Sequence, residues 1–133
     1  MVTKPKEFRY AIELRESGTL HNENETPLDP PEGWSPEHLL LAALVRCSLD
    51  SLRYHAKRAA IAVSGASGSA AARATLRESD GRYAIVEAEL ALHVRLEPPP
   101  DPDRLAELLA KAERDCWVGA SLVAKPSYVW DVA

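Results

Sequence analysis

Hydrophobic and polar positions alternate over residues 7–14, where Phe8, Tyr10, Ile12 and Leu14 share one face. A period of two puts every second side chain on the same side of an extended chain, so this segment reads as a half-buried strand. Ser17-Gly18 follows as a turn, and residues 21–34, with Pro27, Pro30, Pro31 and Gly33, read as an irregular loop. Ser35-Pro36-Glu37 is a helix start. The serine can cap free N–H groups, proline needs no N–H there, and the carboxylate meets the positive end of the dipole. The helix is expected to run to about Ala60. Residues 37–48 are apolar nearly all round apart from His38 and Arg46, the signature of a helix buried on most sides. After Cys47 the pattern becomes amphipathic, leaving Arg53, His55, Lys57 and Arg58 for solvent.

The Gly/Ser/Ala segment 64–70 reads as a flexible strand edge or loop. It has no Lys-Ser/Thr after its glycines, so it is not a phosphate cradle. A strand resumes over 71–77, and Asp80-Gly81 signals a hairpin. From Ala84 to Leu96 the alternation is clean, with Ala88, Leu90, Leu92 and Val94 opposite Glu87, Glu89, His93 and Arg95. Asp101-Pro102-Asp103 caps a second helix. Leu105, Leu108, Leu109, Ala112 and Cys116 form one stripe on it, and Gly119 is its expected end. Residues 127–132 close the chain as an aromatic and β-branched strand. The order of strands, buried helix, strands, helix and strand predicts an α+β fold in one domain over 1–133.

The chain has 133 residues, 46% of them hydrophobic and 27% charged, with a formal net charge of −4. One ordinary domain of this size can bury a core of its own. Mild acidity excludes the concentrated positive face that nucleic-acid binding needs. No run approaches the ~20 apolar residues of a membrane span. The charged start, residues 1–6, precedes no apolar run of signal-peptide length, so a cytoplasmic protein is expected. Two cysteines are too few for a disulfide scaffold or a thiolate metal site, and no metal or cofactor is expected. In a reducing compartment they are either two buried small hydrophobes or a working thiol pair.

Basic residues flank both thiols in sequence. Arg46 and Arg53 lie near Cys47, and Lys111 and Arg114 near Cys116, where a cation would favour the thiolate. The histidines His21, His38, His55 and His93 share no metal-ligand spacing. A Cys47–His55 nucleophile–base couple is also excluded on a straight helix, since eight residues span about 12 Å.

The segment Trp34-Ser35-Pro36-Glu37-His38-Leu39-Leu40-Leu41-Ala42-Ala43-Leu44-Val45-Arg46-Cys47 resembles the Pro-Glu-x-Leu-Leu-x-Ala-x-x-x-Cys motif of the OsmC/Ohr family of organic-hydroperoxide-reducing thiol peroxidases. Residues 112–122 around Cys116 are similar to that family's second-cysteine motif. The resemblance implies an intertwined α+β homodimer with antiparallel sheets, a long central helix and sites at the subunit interface. It implies a peroxidatic Cys47, a resolving Cys116, an organic hydroperoxide substrate bound in an apolar pocket, and a dithiol reductant of lipoyl type. It also implies an N-terminal arginine that activates the thiolate, held by the helix-start Glu37. Arg15 is the first candidate for that arginine and Arg9 the second. Two features depart from the pattern: Trp117 stands where many relatives have proline, and the activating arginine does not align cleanly because the segment between the first strand and the helix is divergent. Glu37 matches the motif but lies about 15 Å from Cys47 along a straight helix. Glu37 would then serve Cys47 from a partner chain or across a bend. The alternative to a peroxidase is a dimeric binding or structural protein of the same fold.

Overall fold

The computed structural model describes residues 4–133; Met1, Val2 and Thr3, the first part of the charged N-terminal stretch, lie outside it. The chain divides into two compact units, one ending at Ser35 and the other running from Pro36 to Ala133.

The N-terminal unit holds a small antiparallel sheet of β1 (Ile12–Leu14), β2 (Leu20–Asn22) and β3 (Pro27–Leu28), in that order. Leu14 pairs with Leu20 and Leu20 with Leu28. Gly18, at a φ of 90°, makes the β1–β2 turn and donates its N–H to Arg15 O. The Asn22 side chain accepts the N–H groups of Asn24 and Thr26, which shapes the turn into β3. Two expectations are corrected here. The loop over 21–34 contains β3 and the end of β2, and the strand expected over 7–14 pairs only from Ile12. Its apolar face is also not half-buried, since Tyr10 is 75% and Ile12 73% exposed, with Phe8 and Leu14 exposed beside them. Alternation marks which side chains need cover, but a three-stranded sheet this short supplies no second layer to cover them.

The second unit begins with α1 (Pro36–Arg58), a single unbroken helix with Glu37 in its first turn. It is followed by β4 (Ala62–Arg77), β5 (Arg82–Glu97), α2 (Pro102–Arg114), α3 (Trp117–Ser121) and β6 (Ser127–Val132). The sheet order is β4-β5-β6. The long hairpin β4–β5 is antiparallel, and β6 runs parallel to β5, so this sheet is mixed. The hairpin turns at Gly81, whose φ is 69°, as the Asp-Gly signal predicted. The core joins Leu44, Leu52 and Ala56 of α1, alternate residues Ala88 to Leu96 of β5, Leu108 and Ala112 of α2, and Cys116.

The glycine- and serine-rich segment 64–70 is regular strand, not loop. Its small residues serve packing. A Cβ on Gly68 would sit 2.6 Å from Leu92 Cδ2, 3.1 Å from Ala91 O and 3.5 Å from Val45 Cγ1, so α1 and β5 close over the space a side chain would take. The apolar stretch of α1 is less buried than expected: Leu39 to Ala42 are half-buried and Ala43 is exposed. The second helix also differs. It starts as predicted, with Asp101 Oδ1 accepting the Arg104 N–H at 2.9 Å, but it stops at Arg114. Asp115 leaves helical geometry, Cys116 is extended with φ −77° and ψ 104°, and α3 then starts afresh. Cys116 is therefore not the fifth member of the stripe, and Gly119 lies inside α3.

Candidate functional site

The break between α2 and α3 is where the chemistry collects. Both cysteines are free thiols. Cys47, half-buried on α1, lies close enough to the Cys116 thiol and to the backbone N–H groups of Trp117 and Val118 for each to act on its ionisation. Cys116 is completely buried. Its Sγ accepts the Gly119 N–H at 3.4 Å and lies 3.4 Å from Ser48 Oγ. Ser48 Oγ also donates to Leu44 O at 2.8 Å and lies 3.1 Å from the Tyr128 hydroxyl. A Cβ on Gly119 would meet Cys116 Sγ and Tyr128 Oη at 3.4 Å and Pro126 Cγ at 3.3 Å, so a side chain here would press on the thiol and its neighbours.

The framework that holds the break to α1 is polar. Ser51 Oγ donates to Ala112 O at 2.8 Å. His55 Nε2 lies 2.7 Å from Asp115 Oδ2, and Arg114 forks onto both oxygens of the same carboxylate at 2.9 Å. The Arg114 guanidinium, with a smaller contribution from His55, holds the Asp115 carboxyl down at about 2. These contacts take Asp115 out of the helix and leave Cys116, one residue later, as the N-cap of α3. They also correct the expectation that His55 faces solvent.

The electrostatics differ from those the flanking basic residues suggested. Burial pushes the Cys47 thiol above its ordinary pKa, and the adjacent Cys116 adds to the rise. The N–H groups of Val118 and Trp117 pull against it without winning. Arg53 is turned toward Asp50 at 3.8 Å, Lys111 pairs with Glu107 at 3.0 Å, and Arg114 is committed to Asp115. Neighbours in sequence on a helix point in different directions, so proximity along the chain did not become proximity to sulfur. Burial also pushes the Tyr128 phenol up to about 12, which keeps it protonated at neutral pH.

Of the four residues singled out from the sequence, the fold brings Cys47 and Cys116 together. Glu37 is exposed at the start of the same unbroken helix, ten residues or about 15 Å of helical rise from Cys47, and does not reach it within the chain. Arg15 belongs to the N-terminal unit. Its guanidinium is taken up there by Glu25 at 2.5 Å and Glu13 at 3.3 Å, and it lies 3.4 Å from His21 Nε2. Arg9, the second candidate, pairs with Glu7 at 3.1 Å. The sequence pattern did not single out Ser48 or Tyr128. A lone serine beside Cys47 in an apolar helix was the available signal for the first; nothing local marked the second.

Two cavities border this framework. One, of about 360 Å³, opens between α1 and α2 beside His55, Arg58, Arg104 and Lys111. The other, of about 380 Å³, is lined by Gly119, Ala120, Pro126 and Tyr128, with Glu113 and Arg114 at its rim. Neither is lined by Cys47. Among the described residues, no group of three or more His, Cys, Asp or Glu side chains could hold a metal ion. Among the same residues, no helix is long and apolar enough to cross a membrane.

A long helix on a mixed sheet, with a helical thiol facing a second thiol at a helix break, defines a class of α+β paired-cysteine proteins. The chain belongs to the OsmC-like protein family, whose pattern matches residues 29–130. Among solved structures it is similar to an OsmC-like protein from Vibrio cholerae, at 14% identity and a TM-score of 0.73, covering 95% of this chain and 99% of that one. An OsmC-like protein from Mycoplasma pneumoniae aligns at 16% identity and a TM-score of 0.68 over 98% of both chains. The organic hydroperoxide resistance protein OhrB of Bacillus subtilis aligns at 17% identity and a TM-score of 0.59, covering 94% of this chain and 96% of that one. At these identities the likeness to solved structures is one of fold. No curated protein matches the chain.

Proposed function

We propose that this chain is a cytoplasmic two-cysteine peroxidase that reduces organic hydroperoxides in oxidative stress defence. The observation that carries the reading is the pairing of the Cys47 and Cys116 thiols, near enough for one to raise the pKa of the other, in a family that includes proteins named for organic hydroperoxide resistance. The Cys47 thiolate attacks the O–O bond, the alcohol leaves with a proton, and Cys47 becomes a sulfenic acid. Cys116 then condenses with it to a disulfide, releasing water, and a dithiol of lipoyl type restores both thiols by exchange.

The chain acts as a homodimer. The exposed Phe8, Tyr10, Ile12 and Leu14 and the half-buried Leu39 to Ala42 are the surfaces a second copy would cover. Arg15 supplies the guanidinium that lowers the Cys47 pKa, and Glu37 of the partner subunit orients it. A site completed in this way accounts for a thiol whose pKa is raised in the single chain.

Stopped-flow oxidation with cumene hydroperoxide, followed by mass spectrometry, tests the reading. Rapid consumption with a Cys47–Cys116 disulfide is expected, and Cys47→Ser abolishes it. Thiols left free after excess peroxide would refute it. The raised Cys47 pKa and Trp117 favour one second reading, a dimeric binding protein of the same fold with little peroxidase activity. Peroxide consumption equal in the parent and in Cys47→Ser would support that reading instead.

A further inference from the structure

Ser48 has one hydroxyl proton and three neighbours for it. Its Oγ is 2.8 Å from Leu44 O, 3.4 Å from Cys116 Sγ and 3.1 Å from Tyr128 Oη. The carbonyl can only accept. Tyr128, protonated at neutral pH, donates to Ser48 Oγ. When Cys116 is a thiol, its S–H can also donate to Ser48 Oγ, and the serine proton rests on Leu44 O. When Cys116 is a thiolate, the serine proton can swing to sulfur, since Tyr128 still occupies an oxygen lone pair and Leu44 O is already the helix acceptor of Ser48 N–H. The rotation needs no backbone movement. Ser48 and Cys116 are both fully buried, where hydrogen bonds to charge are strengthened. The Gly119 N–H, 3.4 Å from the same sulfur, is a second donor already in place.

We infer that Ser48 is a catalytic residue for disulfide closure, its hydroxyl stabilising the attacking Cys116 sulfur, and that Tyr128 is the positioning residue that orients it. The inference rests on the proposed peroxidase reading for its place in the cycle. In the step itself, the Cys116 sulfur forms the S–S bond with the sulfenic Cys47 sulfur and the S–O bond breaks. The oxygen leaves as water, carrying the proton that Cys116 lost. Cys116 is oxidised and the sulfenic sulfur is reduced. Ser48 neither gains nor loses a proton over the step. Its role falls on the second cysteine, so it does not enter the attack of Cys47 on peroxide. The other titratable groups that act on this cluster are Cys47 of α1 and Glu113 of α2, with Tyr128 from β6.

The test separates closure from peroxide attack. Cumene hydroperoxide oxidises the parent, Ser48→Ala and Tyr128→Phe proteins, with a sulfenic-acid trap reporting the first step and mass spectrometry the disulfide. In parallel, diamide closes the same disulfide without any peroxide chemistry. Closure is expected to slow about tenfold in Ser48→Ala and severalfold in Tyr128→Phe with either oxidant. The first step should change less than twofold. The double variant should be no slower than Ser48→Ala alone, because Tyr128 acts through Ser48. The pH at which closure accelerates should rise in Ser48→Ala, a shift that a packing defect would not produce. Unchanged closure with both oxidants, or equal slowing of both steps, would overturn the inference. If peroxide leaves the parent untouched while diamide closure still slows in the variants, the peroxidase reading falls and the role of Ser48 stands. Tyr128→Phe keeps the ring, so its closure rate decides the question should Ser48→Ala fold poorly.

Discussion

Gly68 allows a sharp test of how α1, and with it Cys47, is seated on the sheet. An alanine there would bring its Cβ to 2.6 Å from Leu92 Cδ2, 3.1 Å from Ala91 O and 3.5 Å from Val45 Cγ1. The first neighbour belongs to a fully buried leucine, which has little room to turn away, and the second is backbone, which cannot. Overpacking of this kind costs about 1–3 kcal/mol. Replacing a strand glycine also removes an entropic penalty of about 0.5–1 kcal/mol, so the net loss for Gly68→Ala runs from about zero to about 2.5 kcal/mol. For a domain of this size that is a fall in Tm of up to about 10 °C, and Gly68→Ala should melt below Gly65→Ala by the full overpacking cost. Gly65 is the control. Its added Cβ would meet Arg95 Nη1 at 3.6 Å and Arg95 Cβ at 3.9 Å, ordinary contacts with a movable side chain. Gly65→Ala therefore keeps the entropic gain and should melt at or above the parent. Calorimetry on the three proteins reads the difference. Gly68→Ala melting as high as Gly65→Ala would mean that α1 is not seated on the bare backbone of β4, and the account of segment 64–70 would fail.

Three further outcomes follow from the electrostatics and the exposed surface. The folded Asp115 pKa of about 2 lies below its ordinary value of 3.8, so its ion pairs stabilise the fold above that ordinary value and the benefit fades as pH falls toward 2. Asp115→Asn should therefore lower Tm at pH 7 and lose less on acidification than the parent; equal deficits at pH 7 and pH 2 would rule this out. Because the Cys47 pKa is raised, its alkylation by iodoacetamide in dilute monomer should be half-maximal above the ordinary thiol value of about 8.5, and a midpoint at or below that value contradicts the burial argument. On the proposed dimer, Ile12→Glu places a charge in the interface and should shift sedimentation toward the monomer with little change in monomer fold; an unchanged sedimentation profile argues against this face.

The sequence was most legible where one physical rule acted alone. Pro36, Glu37 and the Asp101-Pro102 cap marked both helix starts, and the alternation through β5 marked the core face from Ala88 to Leu96. It was least legible where tertiary contacts overrode local preference. The stripe from Leu105 to Ala112 gave no warning that the helix would end before Cys116. That break depends on Asp115 reaching Arg114 and on His55, sixty residues away in the chain. Segment 64–70 looked flexible because small polar residues usually are, yet the bare Gly68 within it is what a helix closing on the sheet requires. The candidate site was half visible for the same reason. Two cysteines in motif context announced themselves, while Ser48 and Tyr128 became partners only when β6 was laid beside β5.

Two shortfalls in the single chain bear on the same proposal. The first is packing. Phe8, Tyr10, Ile12 and Leu14 are all more than half exposed, and two copies would bring eight such side chains to a shared interface. Completing their burial is worth roughly 1–2 kcal/mol each, or about 8–16 kcal/mol in all. Association costs about 4–15 kcal/mol, so this face is of the right size to drive pairing but needs the partly buried leucines of α1 to make it secure. The second is electrostatic. Cys47 has N–H donors and a second thiol beside it, but desolvation keeps its pKa high, and a nucleophile must be a thiolate. Both shortfalls have the same remedy on the proposed reading, since the copy that covers the apolar surface also carries a Glu37 that the unbroken α1 holds away from its own Cys47. Coupling the thiolate to assembly would leave the isolated chain chemically quiet and confine peroxide chemistry to the dimer.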